Sequence, residues 1–324
     1  MANYHSVSHA FGFAASEVAL FEALRAWEVG GGDEVIVSAC VPRCLVEAIL
    51  RVGATPIFTE VERDTFNLDS KRLDDVLTKR ARVLVISHAF GQAANLAAIV
   101  PWARGKKIKV VEDCSHALGA RYRGELLGTF GDAALFSFDR EGSLGAVGGG
   151  AIATSDPHLG RALETVRRRL PFPPRRVVAD GLLGREVSGN VACRLPNVWA
   201  AVAYHRLVGV DERNRHRREV AGCYLQRLQN MPPLKLPRVE RGAEPSFRYF
   251  AIRVPDPDRL LRAARGRRVA FVRGCAGIMP PPKSCPAAVE ITAQAVLLPT
   301  SIPLARAERV IRAIREHYQP GADR

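Results

Sequence analysis

The chain has 324 residues, 47% hydrophobic and 25% charged, a balance that fits a globular protein and excludes a disordered one. No run approaches 18 uninterrupted apolar residues, so no membrane-spanning helix is expected. The net charge of +14 is lopsided: residues 1–150 hold 16 Lys+Arg against 18 Asp+Glu, and residues 151–324 hold 31 against 15.

In chain order, "MANYHSVSHAFGF" lacks the basic start, apolar run and cleavage site of a secretory leader, which points to the cytoplasm. "SEVALFEALRAWEV" (16–29) spaces its apolar residues for a helix, after a serine suited to its start. "GGGDEVIVSA" is a loop entering a strand, "CLVEAILRVGA" a helix with a glycine stop, and "TPIFTEV" a strand. "DSKRLDDVLT" opens on an aspartate cap and predicts a third helix. "ARVLVISHAFG" is a strand, "LAAIVPWARGK" a helix and "KIKVVEDCSH" a strand. Strands that are continuous apolar runs alternating with helices define an α/β fold, a mainly parallel sheet between helical layers. Ligands of such sheets bind at the carboxyl ends of the strands, which here carry His88, Glu112, Asp113 and His116.

Beyond residue 157 the chain turns helical and basic. "PNVWAAVAYHRLVGVDERNRHRREVAGCYLQRLQ" predicts one long or broken helix. "FRYFAIRVPDPDRLLRAARGRRVAFVRG" reads as strand, helix, strand, "GIMPPPKSCP" as a loop, and "LARAERVIRAIREHY" as a closing helix. The expected division is a large α/β domain over 1–205 and a small, basic α+β domain over 206–324. The arginine clusters "VRRRLPFPPRR" (166–176) and "DERNRHRRE" (211–219) are where a basic binding module would act. Few aromatics interleave them, so nucleic acid is not the expected partner. Seven scattered cysteines imply reduced thiols rather than a disulfide framework. Cys40 and Cys44 are spaced to share a helix face, but no second ligand pair follows, and no metal site is expected.

Several segments together resemble the DegT/DnrJ/StrS sugar aminotransferases: "GGGDEVIVSA", "ILRVGATPIFTEVERDTFNLD", "SHAFGQAANL", "VVEDCSHALGARYRGELLGTFGDAALFSF", "GGGAIATSD" and "CPAAVEITAQAVLLPTSIPLARAERVIRAI". The resemblance runs in order over about residues 11–317. It implies the aspartate-aminotransferase-like fold of type I pyridoxal-phosphate (PLP) enzymes, with a seven-stranded-type sheet. It also implies a homodimer and chemistry on keto-sugars linked to nucleoside diphosphates. By the same resemblance Asp113 stands where an aspartate pairs with the pyridinium nitrogen, His116 where a residue faces the cofactor ring, and Ser137 where a serine meets the phosphate. His88 matches a histidine that shapes its loop. Arg194 falls near an arginine on a segment that reaches the partner subunit.

Three family features are absent. After "FSF" the family has three residues and then the Schiff-base lysine; here Asp139, Arg140 and Glu141 lead to Gly142, and no lysine lies between Lys109 and Lys235. That lysine anchors the cofactor and then shuttles a proton between cofactor and substrate carbons. The family's phosphate-binding Ser-Gly-Thr is Ala15-Ser16-Glu17. A Glu17 carboxylate ~4 Å from a phosphate costs roughly 4 kcal/mol per charge pair at an effective dielectric of ~20; alternatively Glu17 satisfies its own helix start, and either reading works against a bound phosphate. The segment "SACVPRCLVEA" offers no aromatic to stack on the pyridine, and "RGCAGIMPPPKS" is shorter than the family's substrate loop.

These losses lead to the expectation of a degenerate aminotransferase-fold protein with no PLP transamination and no cofactor. It would be either a non-catalytic subunit of a related partner enzyme or an acid–base enzyme reusing the cleft through Glu17, Asp113, His116, Asp139 and Glu141. Ser16, Ser137, Asp113 and His116 would then be the relic of a cofactor pocket. The alternative is a lysine-less enzyme, dehydratase-like, that binds PLP or its amine form, pyridoxamine phosphate (PMP), and acts on a nucleotide-linked keto-sugar, with His116 as base.

Overall fold

A computed structural model of the chain describes residues 1–146, 148–172, 194–267, 269–275 and 277–318. Its frame is a seven-stranded sheet built from β1 (His9–Phe13), β2 (Glu34–Ser38), β3 (Thr55–Thr59), β4 (Ala81–Ser87), β5 (Lys109–Asp113), β8 (Ala133–Ser137) and β9 (Gly150–Thr154). The order is β1-β9-β8-β5-β4-β2-β3. The run from β3 to β8 is parallel, while β8–β9 and β9–β1 are antiparallel. The parallel strands β2, β4, β5 and β8 are almost wholly buried, which is why they read as apolar runs rather than alternating ones. The short β6 (Arg121–Tyr122) and β7 (Glu125–Leu126) form a side sheet with β10 (Ala243–Glu244).

Both faces of the main sheet are covered. One packs Ile36, Leu84, Ile86, Val110 and Phe136 against α4 (Leu96–Gly105). The other packs Val35, Val37, Val85, Val111 and Leu135 against α2 (Ser16–Ala26) and α3 (Arg43–Arg51), with α5 (Pro157–Arg169) beside them. The four-residue α1 (Ala2–His5) precedes β1. A second core surrounds the antiparallel sheet of β11 (Phe250–Arg253), β13 (Ala295–Leu298) and β12 (Val272–Arg273). Its helices include α8 (Pro257–Gly266) and α10 (Leu304–Tyr318), with α9 (Pro286–Gln294) entering a neighbouring cluster.

Two sequence expectations need correction. Residues 69–78 make one 3₁₀ turn, Ser70–Arg72, and not a helix. Asp69 does cap it through the Lys71 amide, but Asp74 accepts from the Trp102 indole (2.9 Å) and Asp75 pairs with Arg72. Ten residues are too few to propagate a helix when their carboxylates bond elsewhere. The basic segment read as one long or broken helix is a broken one, divided at Gly209 into α6 (Asn197–Val208) and α7 (Val210–Leu228). Cys40 and Cys44 do not share a helix face either, because α3 begins only at Arg43.

Among the described residues, no helix is long and apolar enough to cross a membrane.

Candidate active site

Side chains alternate across a strand, so adjacent residues at the end of β5 face opposite ways. Glu112 points into the α4 side and Asp113 to the α2 side. Strands β4, β5 and β8 end on Ser87, Asp113 and Ser137, so three neighbouring strands present polar groups at one carboxyl edge. Asp113 is buried, accepting from the Ser87 hydroxyl (3.1 Å) and the Ser115 amide (3.0 Å). His116 follows on the same turn. Phe90 lies nearly parallel to its ring at 6.3 Å, and Tyr249 meets it edge-on at 5.8 Å. Burial holds the His116 ring below the ordinary histidine range, and Arg248 adds to this; Asp113, Asp139 and Glu141 pull the other way.

The loop after β8 brings the remaining acids. Ser137 Oγ accepts from the Asp139 amide (3.3 Å), and Asp139 Oδ1 accepts from the Gly142 amide (2.7 Å). Glu141 accepts from the Tyr249 hydroxyl, and burial together with this bond pushes the phenol up to about 12. A Cβ at Gly142 would lie 2.6 Å from the Ser137 carbonyl, so this loop leaves no room for a side chain at that position.

Glu17 completes the group from the first turn of α2. The helix starts at Ala15 with no side-chain cap, and the Glu17 carboxylate folds back onto its own amide and the Ser16 hydroxyl. Gly150 makes the close approach possible, since a Cβ there would stand 2.6 Å from the Ser16 nitrogen. Burial, aided by Asp139, raises the Glu17 carboxyl toward its neutral form. A raised carboxyl is easier to protonate, which eases the expected conflict with a phosphate without removing it.

All five acid–base residues read from the sequence therefore gather at one edge of the sheet. Sequence reasoning missed Ser87, Cys44, Phe90, Arg248 and Tyr249. Cys44 is within the field of Glu17, Asp113 and Asp139; burial and those charges push its thiol up, which leaves it a poor nucleophile. Phe90 packs between Phe66, which it meets edge-on at 5.2 Å, and His116. The "RGCAGIMPPPKS" segment lies beside this edge, with the Arg43 amide bonded to the Gly277 carbonyl (3.0 Å) and the Met279 amide to Val41 (3.2 Å); Ala276 is outside the described residues.

Other candidates have structural partners. The His88 Nδ1 accepts from the Ala94 amide (3.2 Å), so Nε2 carries the hydrogen and donates to Glu112 (3.0 Å). Glu112 also accepts from the amides of Gly128, Phe130 and Gly131 at 2.8–2.9 Å. Burial alone would raise this carboxyl, but His88 and the amides bring it below the usual range. His88, Glu112 and Cys114 lie close enough to share a metal ion, yet the carboxylate already holds four donors. Arg194 spends its guanidinium on the carbonyls of Arg168 and Leu170. In the 211–219 cluster, Arg213 bonds Arg206, Arg217 bonds Ser301, Asn214 and Ser143, and Arg218 bonds Pro245. Residues 173–176 of the other cluster lie outside the described residues.

A mainly parallel sheet with polar residues at its carboxyl edge and a small α+β unit against it is the architecture of the PLP-type aminotransferases. The chain belongs to the DegT/DnrJ/EryC1/StrS aminotransferase family, whose model matches residues 1–315. It is 32% identical, over 97% of its length and 87% of the relative's, to the dTDP-3-amino-3,4,6-trideoxy-alpha-D-glucose transaminase of Micromonospora megalomicea subsp. nigra. It is also 32% identical, over 79% of its length and 68% of the relative's, to the dTDP-3-amino-3,6-dideoxy-alpha-D-galactopyranose transaminase of Aneurinibacillus thermoaerophilus. The S. venezuelae DesV structure in complex with a ketimine intermediate superposes with a TM-score of 0.85 at 31% identity, covering 98% of this chain and 87% of that one.

These relatives overturn two expectations. A degenerate protein without transaminase chemistry, whether partner subunit or cofactor-free enzyme, does not accord with transaminase relatives matched along almost the whole chain. The expectation of no cofactor fails as well, since a neighbour at 31% identity holds a ketimine intermediate. Both errors share one cause: departures at the expected lysine, phosphate and ring-stacking positions were taken for the loss of the whole pocket, although Asp113, His116 and Ser137 remain at the carboxyl edge.

Proposed function

We propose that the chain is a PLP/PMP-dependent enzyme of the sugar-aminotransferase family that acts on a nucleotide-linked keto-sugar and holds its cofactor without a covalent lysine bond. The observation that carries this is Asp113, buried at the carboxyl edge between Ser87 and the Ser115 amide with His116 beside it. A carboxylate with two donors keeps lone pairs free, the donor set a protonated pyridine nitrogen requires. The residues fit the amine form of the cofactor and do not fit a covalently anchored one, because Gly142 offers neither an amine nor room for a longer side chain.

In this reading Asp113 holds the ring nitrogen, His116 faces the ring, and Ser16, Ser137 and the α2 amides take the phosphate end, beside a Glu17 carboxyl that burial raises. The bound amine form supplies an amino group and an electron sink at a ketone carbon. His116, kept neutral by burial, is available to take up or return a proton. Tyr249, with its raised pKa, stays protonated and donates to Glu141. The site would be built by residues 1–205 and closed by residues 206–324. The active form would be a homodimer, for which the exposed Val198, Tyr204 and Val208 of α6 offer an apolar stripe.

Titration of the purified protein with PMP and with PLP, followed by absorbance and by dialysis, tests the proposal. Saturable binding that dialysis reverses is expected, and Asp113→Asn should weaken PMP binding about 10- to 100-fold, as losing a charge-assisted bond does. No binding of either form, or a cofactor that borohydride reduction fixes to a lysine, refutes it.

A further inference from the structure

Arg248 reaches the site from a segment more than 100 residues further along the chain. It lies just before β11, the first strand of the second core, yet its guanidinium sits on the loop after β8. Its Nε donates to the carbonyls of Gly142 (2.9 Å) and Glu141 (3.2 Å), and Nη2 donates to that of Arg140 (2.9 Å). Arg217 of α7 adds a bond to the Ser143 carbonyl (3.2 Å). Four successive carbonyls, 140 to 143, thus accept from guanidinium groups. The Arg248 head also lies 4.5 Å from the centre of the Tyr249 ring, the ring that meets His116 and bonds Glu141.

We propose that Arg248 is a positioning residue of this site: by gripping the 140–142 carbonyls it fixes the loop that hands Glu141 to Tyr249, and it supplies the positive charge that offsets the carboxylates around His116. The proposal rests on the reading of the pocket above and adds a residue to it. A loop with no side chain at 142 needs another hold, and a planar fork with several donors spans three carbonyls where an ammonium does not. The groups facing His116 are Asp113 from β5, Asp139 and Glu141 from the loop, Arg248 from the second core, and the rings of Phe90 and Tyr249. Among the ionised groups of that set, Arg248 is positive and the others negative, so removing it favours the imidazolium.

The test uses the full-length protein without cofactor, as wild type, Arg248→Gln and Arg248→Lys. Two quantities are read: the NMR titration of His116, and amide hydrogen exchange over residues 139–143. Arg248→Gln should raise the His116 midpoint and speed loop exchange about tenfold, the effect of roughly one or two net hydrogen bonds. Arg248→Lys should keep the His116 midpoint near wild type and still speed the exchange, separating charge from grip. An unmoved His116 midpoint in Arg248→Gln overturns the proposal, as does wild-type loop protection in Arg248→Lys. If the Gln variant does not fold, the Lys variant alone decides through the exchange. PMP binding by the wild type is measured in parallel; its failure would sink the cofactor reading while leaving both of these readouts to judge Arg248.

Discussion

Two carboxylates next to each other in the chain, Glu112 and Asp113, each sit beside a histidine, and they differ in every other respect. Glu112 faces the α4 side and takes three backbone amides and the His88 ring, with both side chains fully enclosed. Asp113 faces the α2 side, takes one hydroxyl and one amide, and stands at an edge with His116, Asp139 and Glu141 in its surroundings. An acid whose acceptor sites are filled by the protein holds the fold together. An acid with sites to spare, at the carboxyl ends of parallel strands, is placed for a ligand.

Breaking each side should give different losses. The largest is expected on the closed side. Glu112→Ala strands three amides and the His88 N–H in a buried pocket, at a cost of about 3–5 kcal/mol, since each unsatisfied buried donor costs about 1–3 kcal/mol before the site relaxes. Urea denaturation measures it; a loss below about 1 kcal/mol would erase the distinction drawn between the two acids.

His5 sharpens the comparison, as a histidine on the closed side with neither ring nitrogen bonded to a side chain. It packs against Phe136 with centroids 4.6 Å apart, and burial pushes its ring down to about 4. The folded chain therefore holds His5 neutral at pH values where the unfolded chain protonates it. Its contribution is complete above the ordinary value of 6.5 and disappears as the pH falls toward 4, a loss of about 3 kcal/mol across that window. Stability of His5→Leu should accordingly fall less between pH 7 and pH 4 than that of the wild type. Parallel curves would refute the assignment.

The smallest effect belongs to the open side. Ser137→Ala removes a 3.3 Å bond from the Asp139 amide, worth about 0.5–1 kcal/mol to the fold. On the proposed reading it also raises the Kd for PMP several-fold, which the same titration would register; an unchanged Kd would remove Ser137 from the phosphate end.

The fold was legible because β2, β4 and β5 are buried on both faces and spell continuous apolar runs. β1 escaped notice: "HAFGF" is five residues with a central glycine, and it pairs antiparallel at the edge of the sheet. Residues 69–78 misled because an aspartate cap was present while the bonds of Asp74 and Asp75 to partners elsewhere could not be read from the segment itself. The site divides in the same way. Asp113, His116, Ser137 and the 139–141 acids lie on two segments close in sequence and carry a recognisable spacing. Arg248 and Tyr249 come from more than 100 residues away, and "FRYF" was read only as the start of a strand. The cofactor expectation failed for a different reason: it was drawn from three positions compared one at a time, whereas a pocket binds through many contacts together.

The crowding at Gly142 also limits how this chain can change. Any residue larger than glycine meets the Ser137 carbonyl, so a single codon change to lysine would distort the backbone before its amine found the pocket. On the proposed reading, a tethered coenzyme would demand that the surrounding turn be rebuilt first, and intermediates that alter only one of the two would carry the strain without the benefit. The present loop is in that sense a ratchet.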